Sequence, residues 1–456
     1  MIMSVPFILF LVASTVALLL FMVLKLKINA FISLLITAIY VGILSGMPLG
    51  NILKSIQEGM GGTLGFVATV VGLGAIFGEM LESSGGAESM ARYLVKKFGK
   101  EKASWAMVLT GFMVGIPIFL DVGFIILVPI VYALSRDTKR SLLYYGIPLL
   151  AGLAVTHSFV PPTPGPVAVA DIIKVDLGWV IFFGVILGLP TAIIAGPIWG
   201  RYISQKINLL PPAEFFAIAA EGDPEKKQEL PSFRSIFLII SIPLLLILLN
   251  TLTGVLVEKK VLAASLFTDI LEFCGHPFTA LIIATLVAIY FLCLRRGMPR
   301  QRILELSTKA LGPAGIIILI TGAGGVLKQI LVDSGIGKMM AESIAGSSMS
   351  PILLAWVLAA VVRVTQGSAT VAMITAAGII APVMPELNLT MPESALVVIA
   401  IASGATLLSH VNDSGFWLVG KYLGMNEKQT LQSWTVMETI IAFCGLGFTL
   451  LASLLV

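Results

Sequence analysis

Apolar runs of roughly 20 residues follow one another from end to end of this chain, and each is long enough to cross the hydrocarbon core of a bilayer as a helix. That pattern fixes the class of fold before any motif is read. Of the 456 residues, 57% are hydrophobic and only 12% charged, with a mean hydropathy of +1.01. So few charges cannot cover the surface of a soluble domain. A membrane barrel would show short segments of alternating polarity, which are absent. The chain is therefore expected to be an all-α polytopic membrane protein. The first run, residues 5–24, is too long for a signal-peptide core and leads into Lys25 and Lys27 and then a further span, so it reads as a retained helix. Cys274, Cys293 and Cys444 lack metal-ligand spacing and read as packing residues.

The net charge of +4 reports topology, not affinity for nucleic acid. Of the 29 lysines and arginines, 22 fall in six clusters: Lys25/Lys27, Arg92–Lys102, Arg136–Arg140, Arg201–Arg234, Arg295–Lys309 and Lys421/Lys428. Basic residues mark the cytoplasmic side, which predicts both termini outside. The one sizeable polar stretch, 211–233, reads as a cytoplasmic loop between two halves.

The halves resemble each other. "GLGAIFGEMLESSGG" (72–86) lies over "GAGGVLKQILVDSGI" (322–336) at an offset of 250. The first copy runs into a basic cluster and the second emerges from one, so equivalent helices should point in opposite directions. Inverted-topology repeats of this kind characterise secondary transporters. The expected organisation is N-terminal scaffold helices (1–61), repeat 1 (62–210), the loop, central scaffold helices (234–309) and repeat 2 (310–456).

Each repeat is expected to hold a re-entrant helical hairpin and a broken helix. The run 105–134 has basic clusters on both flanks and about 30 residues, too few for two comfortable spans. It should enter, turn at "GIPIFLDVG" and return, and 351–384 should do the same around "RVTQGSAT". Broken helices are expected over 141–175, at "THSFVPPTPGP", and over 394–420, at "SHVNDSG". Irregular backbone at membrane depth is tolerated only against protein or a wet cavity, so tips and breaks should converge on one site.

The residue types at those places define its chemistry. Arg363 is the only basic residue placed at membrane depth, and a buried guanidinium needs an anion. Asp121, Asp413 and a carboxylate on the transported solute are the candidates. Gly367 and Ser368 open a half-helix whose amino end favours anions. Thr365, Gln366, Ser368, Ser409 and Asn412 offer hydroxyls and amides suited to a polyhydroxylated ligand. Thr163, Gly165 and His410, at the helix breaks, complete the expected binding set. Asp121 is the expected proton carrier, with His157 and Asp413 as alternatives: a ligand that occupies Arg363 would deprive Asp121 of its counter-charge and drive proton uptake. No cofactor is expected, and the coupling ion is expected to be H⁺, with Na⁺ as the alternative. An enzyme would need a nucleophile–base pair or metal ligands, and a channel a continuous polar lining.

"QGSATVAMITAAGIIAP" (366–382), "SHVNDSGFW" (409–417), "GAGGVLKQILVDSG" (322–335) and "VPPTPGPVA" (160–168) together resemble the gluconate permease (GntP) family of bacterial inner-membrane symporters, over nearly the whole chain. The resemblance implies uptake of gluconate or a related sugar acid with protons, and an ion-transporter-like fold with paired hairpins, a scaffold and a moving transport domain; such a protein is compatible with a homo-oligomer. Members that carry D-serine lack the arginine and glutamine before Gly-Ser-Ala-Thr and lack Ser-His at the broken helix, so Arg363, Gln366, Ser409 and His410 put this chain on the sugar-acid side. Many gluconate members have glutamate at Asp121 and histidine at Thr163, which leaves another aldonate or a short hydroxy acid open as the substrate.

Overall fold

The computed structural model describes residues 5–211, 230–336 and 350–456. Most of the loop expected at 211–233 lies outside the described residues. Every regular element among them is helical, and seven helices are long and apolar enough to cross a membrane. Leaving aside the short helices Trp199–Lys206 and Glu427–Thr430, the α-helices in chain order are α1 (Val5–Leu20), α2 (Ala30–Leu44), α3 (Leu49–Ser83), α4 (Gly86–Phe98), α5 (Ala103–Val114), α6 (Leu120–Thr138), α7 (Leu143–Phe159), α8 (Pro164–Ile173) and α9 (Leu177–Ile193). There follow α10 (Phe233–Glu258), α11 (Leu266–Gly275), α12 (Pro277–Ala288), α13 (Arg300–Asp333), α14 (Pro351–Gln366), α15 (Ala369–Ile380), α16 (Met391–Gly404), α17 (Ser414–Leu423) and α18 (Val436–Ala452).

One order of elements occurs twice: a long helix, a helix pair, an interrupted helix and a closing helix. It runs α3, α5/α6, α7/α8, α9 and then α13, α14/α15, α16/α17, α18, with α8 and α17 each 10 residues long and starting 250 residues apart. The two long helices pack on each other antiparallel. Ser55 Oγ donates to Asp333 Oδ2 at 2.5 Å near one end. Farther along, Gly59 lies against Val326, Leu64 against Gly322, and Gly72 against Leu311, so partner numbers fall as α3 advances. Small residues at this seam let the backbones approach. A Cβ on Gly59 would come within 2.6 Å of the Gly325 carbonyl oxygen and 2.8 Å of Val326 Cα. Gly59→Leu is therefore expected to part the long helices at a cost of about 1–3 kcal/mol. A lowered thermal midpoint in detergent checks this; an unchanged midpoint would mean that the seam yields.

The first helix pair is a hairpin. Lys100 Nζ, just before α5, meets Asp137 Oδ2 at the end of α6 at 3.1 Å, which closes its open end. Its arms are unequal, 12 and 19 residues, and the longer approaches the thickness of a bilayer core at about 1.5 Å per residue. The turn comprises 115–119, and Asp121 sits in the first turn of α6 rather than in the turn itself, where an amino-terminal dipole favours a carboxylate. Glycines of α3 admit the irregular segments. Gly74 faces the Pro162 carbonyl oxygen in the α7/α8 break, and Gly78 faces the Pro117 carbonyl in the hairpin turn. The interrupted helix α7/α8 is the most enclosed of the long spans, 89% buried over its most apolar window, against 33% for α10. The first break thus lies in the protein core, the second is partly open at Leu408 and Val411, and continuous helices such as α10 face outward with leucines exposed.

Candidate functional site

Three helix amino-termini converge on one cavity of about 590 Å³: Leu120–Val122 of α6, Ala369–Thr370 of α15 and Ser414–Gly415 of α17. First-turn N–H groups have no acceptor within their own helix, and their aligned dipoles make the shared space favourable to an anion. Each start has a local cause. Gly367 takes a left-handed φ of +87°, ending α14 and allowing Ser368 to cap α15, where its hydroxyl accepts from Val371 N at 3.4 Å. Asp413 caps α17 by accepting from Gly415 N at 3.0 Å. Phe119 leads into α6 through extended backbone.

Among the described residues, Arg363 carries the only positive charge on the wall of this cavity. It is 3% exposed, and its Nη2 donates to Asp413 Oδ2 at 2.5 Å. Its Nε and Nη1 are buried and donate to nothing among the described residues. A guanidinium left with two unused nitrogens at three helix amino-termini is built to take a second anion. Asp413 is fully engaged: besides Arg363 and Gly415 N, it accepts from the Ser409 hydroxyl. Ser409 in turn accepts from Trp434 Nε1 at 2.7 Å, and its carbonyl accepts from Thr435 Oγ1. This chain of bonds ties the break before α17 to the π-helical turn Leu431–Thr435, which runs into α18.

The residues expected from the sequence fall into two groups. Arg363, Gln366, Gly367, Ser368, Asn412, Asp413, Asp121 and His157 line the cavity. Thr163, Gly165, Thr365, Ser409 and His410 do not, and each has another engagement. The Thr163 hydroxyl donates to the Val160 carbonyl at 2.6 Å within the first break. Gly165 is buried against Met373 of α15. The Thr365 hydroxyl folds back onto the carbonyls of Val361 and Val362. His410 Nε2 lies 2.9 Å from the Val364 carbonyl, and Asn412 Nδ2 donates to the carbonyls of Val364 and Thr365 at 3.0 and 3.2 Å. Together they satisfy the carbonyls that α14 leaves open where it stops, and Asn412 Oδ1 remains buried without a partner among the described residues. Gln366 Nε2 donates to the Ser368 carbonyl at 2.7 Å. No ion pair joins Arg363 to Asp121 among the described residues; of the two internal partners weighed, the guanidinium takes Asp413.

The cavity also holds residues that sequence reasoning missed: Phe119, Ser158, Pro313, Ile317, Trp434 and, above all, Glu438. Glu438 is 4% exposed. It is the only charge in the final run Leu431–Val456, the same signal that drew attention to Asp121, and an ionisable residue inside a span is a functional candidate by default.

Comparison with known proteins gives the chain's relatives. A family model described as GntP family permease matches residues 7–455. A gluconate permease of Pseudomonas aeruginosa is 44% identical over 430 residues, 94% of each chain. A low-affinity gluconate transporter of Escherichia coli is 42% identical over 432 residues, covering 94% of this chain and 95% of that one. The Gnt-II system L-idonate transporter of the same organism is 38% identical over 440 residues, 96% and 97%. Among solved structures, the Neisseria gonorrhoeae efflux pump MtrF aligns with a TM-score of 0.63 at 13% identity, covering 88% of this chain and 84% of that one. The Alcanivorax borkumensis transporter YdaH gives the same TM-score and identity over 92% and 96%. At that identity the likeness is one of fold.

Proposed function

The chain belongs to the GntP family of permeases, and on that premise we propose that it imports gluconate or a closely related sugar acid across the bacterial cytoplasmic membrane together with protons. The observation that carries the reading is Arg363, buried and paired through one nitrogen only, with three helix amino-termini around it. The substrate carboxylate docks on Nε or Nη1, and the hydroxyls meet Gln366, Ser368, Asn412 and Ser158. Several relatives are named for gluconate and one for L-idonate, which favours an aldonate over D-serine. The two halves act as inverted repeats, with both termini outside, and the site opens alternately to either side as the broken segments move against the scaffold.

The test is uptake of labelled gluconate into proteoliposomes. An inward proton gradient should drive accumulation above the equilibrium level, a protonophore should abolish it, and a sodium gradient should add nothing. Excess unlabelled L-idonate should compete and D-serine should not. Accumulation that follows sodium, or competition by D-serine with gluconate inert, overturns the reading.

A further inference from the structure

Glu438 has no role in the site as described so far, yet it is the most thoroughly enclosed carboxyl on the cavity wall. It lies within the continuous helix Glu427–Ala452, so no free first-turn amides serve it. No donor reaches its carboxyl among the described residues. Arg363 and Asp413 share the cavity wall with it. Across the cavity, α6 contributes Asp121 and α7 contributes His157; α9 and the cavity-facing part of α13 bring no charge.

A census of that wall leaves one guanidinium against three carboxyls, Asp121, Asp413 and Glu438. Asp413 accepts from Arg363, Ser409 and Gly415, a pattern suited to a carboxylate. Asp121 stands exposed at the amino-terminal end of α6, where the helix dipole favours its charge. Glu438 is 4% exposed and no donor among the described residues reaches its carboxyl, so the charge on this wall that can support it as an anion is that of Arg363. An arriving substrate anion needs that same charge. Two buried anions cannot share one guanidinium whose other side is already taken by Asp413 without a large desolvation cost.

We infer that Glu438 is the carboxyl that takes up the transported proton, and that it does so because substrate and the Glu438 carboxylate compete for Arg363. The empty site holds Arg363, Asp413 and an ionised Glu438. The loaded site holds Arg363, Asp413, the substrate anion and a neutral Glu438. The net charge is the same in both, so substrate and proton enter as a pair and leave as a pair. Releasing the proton on the far side restores the Glu438 anion, which takes back Arg363 and expels the substrate. The inference rests on the proposed proton-coupled sugar-acid transport and assigns the group that couples it.

The experiment combines binding and uphill transport for wild type, Glu438→Gln, Glu438→Asp and Asp121→Asn. Since binding takes up a proton, wild-type gluconate affinity should weaken as pH rises, approaching about tenfold per pH unit where the coupling group titrates. Glu438→Gln mimics the neutral, loaded state. It should bind at every pH with the affinity that wild type shows at low pH, exchange labelled for unlabelled gluconate, and fail to accumulate it under a proton gradient. Glu438→Asp should recover part of the accumulation, and Asp121→Asn should keep the pH slope. A Glu438→Gln variant that accumulates gluconate or keeps the wild-type slope overturns the inference while the transport reading stands. One that is folded but binds nothing at any pH overturns it as well, because a neutral side chain must permit binding. Wild-type protein that ignores the proton gradient refutes the transport reading itself.

Discussion

Arg363→Lys should lower gluconate affinity by about 30-fold or more while leaving the protein folded. Lysine keeps a positive charge against Asp413, so the internal pair survives in part and the carboxylate is not stranded. It lacks the planar fork that reaches Asp413 through one nitrogen and a second anion through the others. Losing a charge-assisted contact of that kind costs about 2–5 kcal/mol, and each 1.4 kcal/mol is about tenfold in affinity. Arg363→Gln should do worse, because Asp413 is then left without its counter-charge inside the protein, a loss of about 3–5 kcal/mol in stability. The two variants separate the roles. Binding by calorimetry or scintillation proximity, set beside thermal unfolding, should show lysine impaired mainly in binding and glutamine in both. A lysine variant with wild-type affinity would make Arg363 a structural partner of Asp413 and nothing more.

Gly367→Ala should reduce transport by about 100-fold, since displacing a reacting or binding group by about 1 Å can cost that much. Two effects add at this position. The φ of +87° is left-handed, which costs a residue with a Cβ about 1–2 kcal/mol. The added Cβ would also lie 2.6 Å from the Asn412 carbonyl carbon and 2.9 Å from its Cγ. Both segments are main chain at the site, so relief moves either the start of α15 or the break that presents Asp413. Asn412 would then no longer reach the carbonyls of Val364 and Thr365 at the end of α14. Initial uptake rates normalised to folded protein check the prediction. Near-normal rates would mean that the two breaks are not held against each other during transport.

The setting and much of the wall were legible in the sequence. Hydropathy required helices in lipid, because backbone amides in hydrocarbon must find partners within their own segment. Gly367 and the prolines at 161, 162 and 164 marked interruptions that the structure carries between α14 and α15 and between α7 and α8, since left-handed φ and missing donors act locally. Arg363 stood out as a lone cation at depth. Which polar groups face the cavity depends on helix packing. His410 and Asn412 are near neighbours in sequence, yet His410 spends its ring on a helix end and lies off the wall while Asn412 lines it. Arg363 chose Asp413 over Asp121 because the breaks after α14 and before α17 abut, a contact across about 50 residues that no local pattern encodes. Glu438 reached the same space on a helix that follows those breaks, anchored through Trp434 and Ser409. A lone charge announces that it needs a reason, but its partner is set by which helices pack together, and that depends on the whole chain at once.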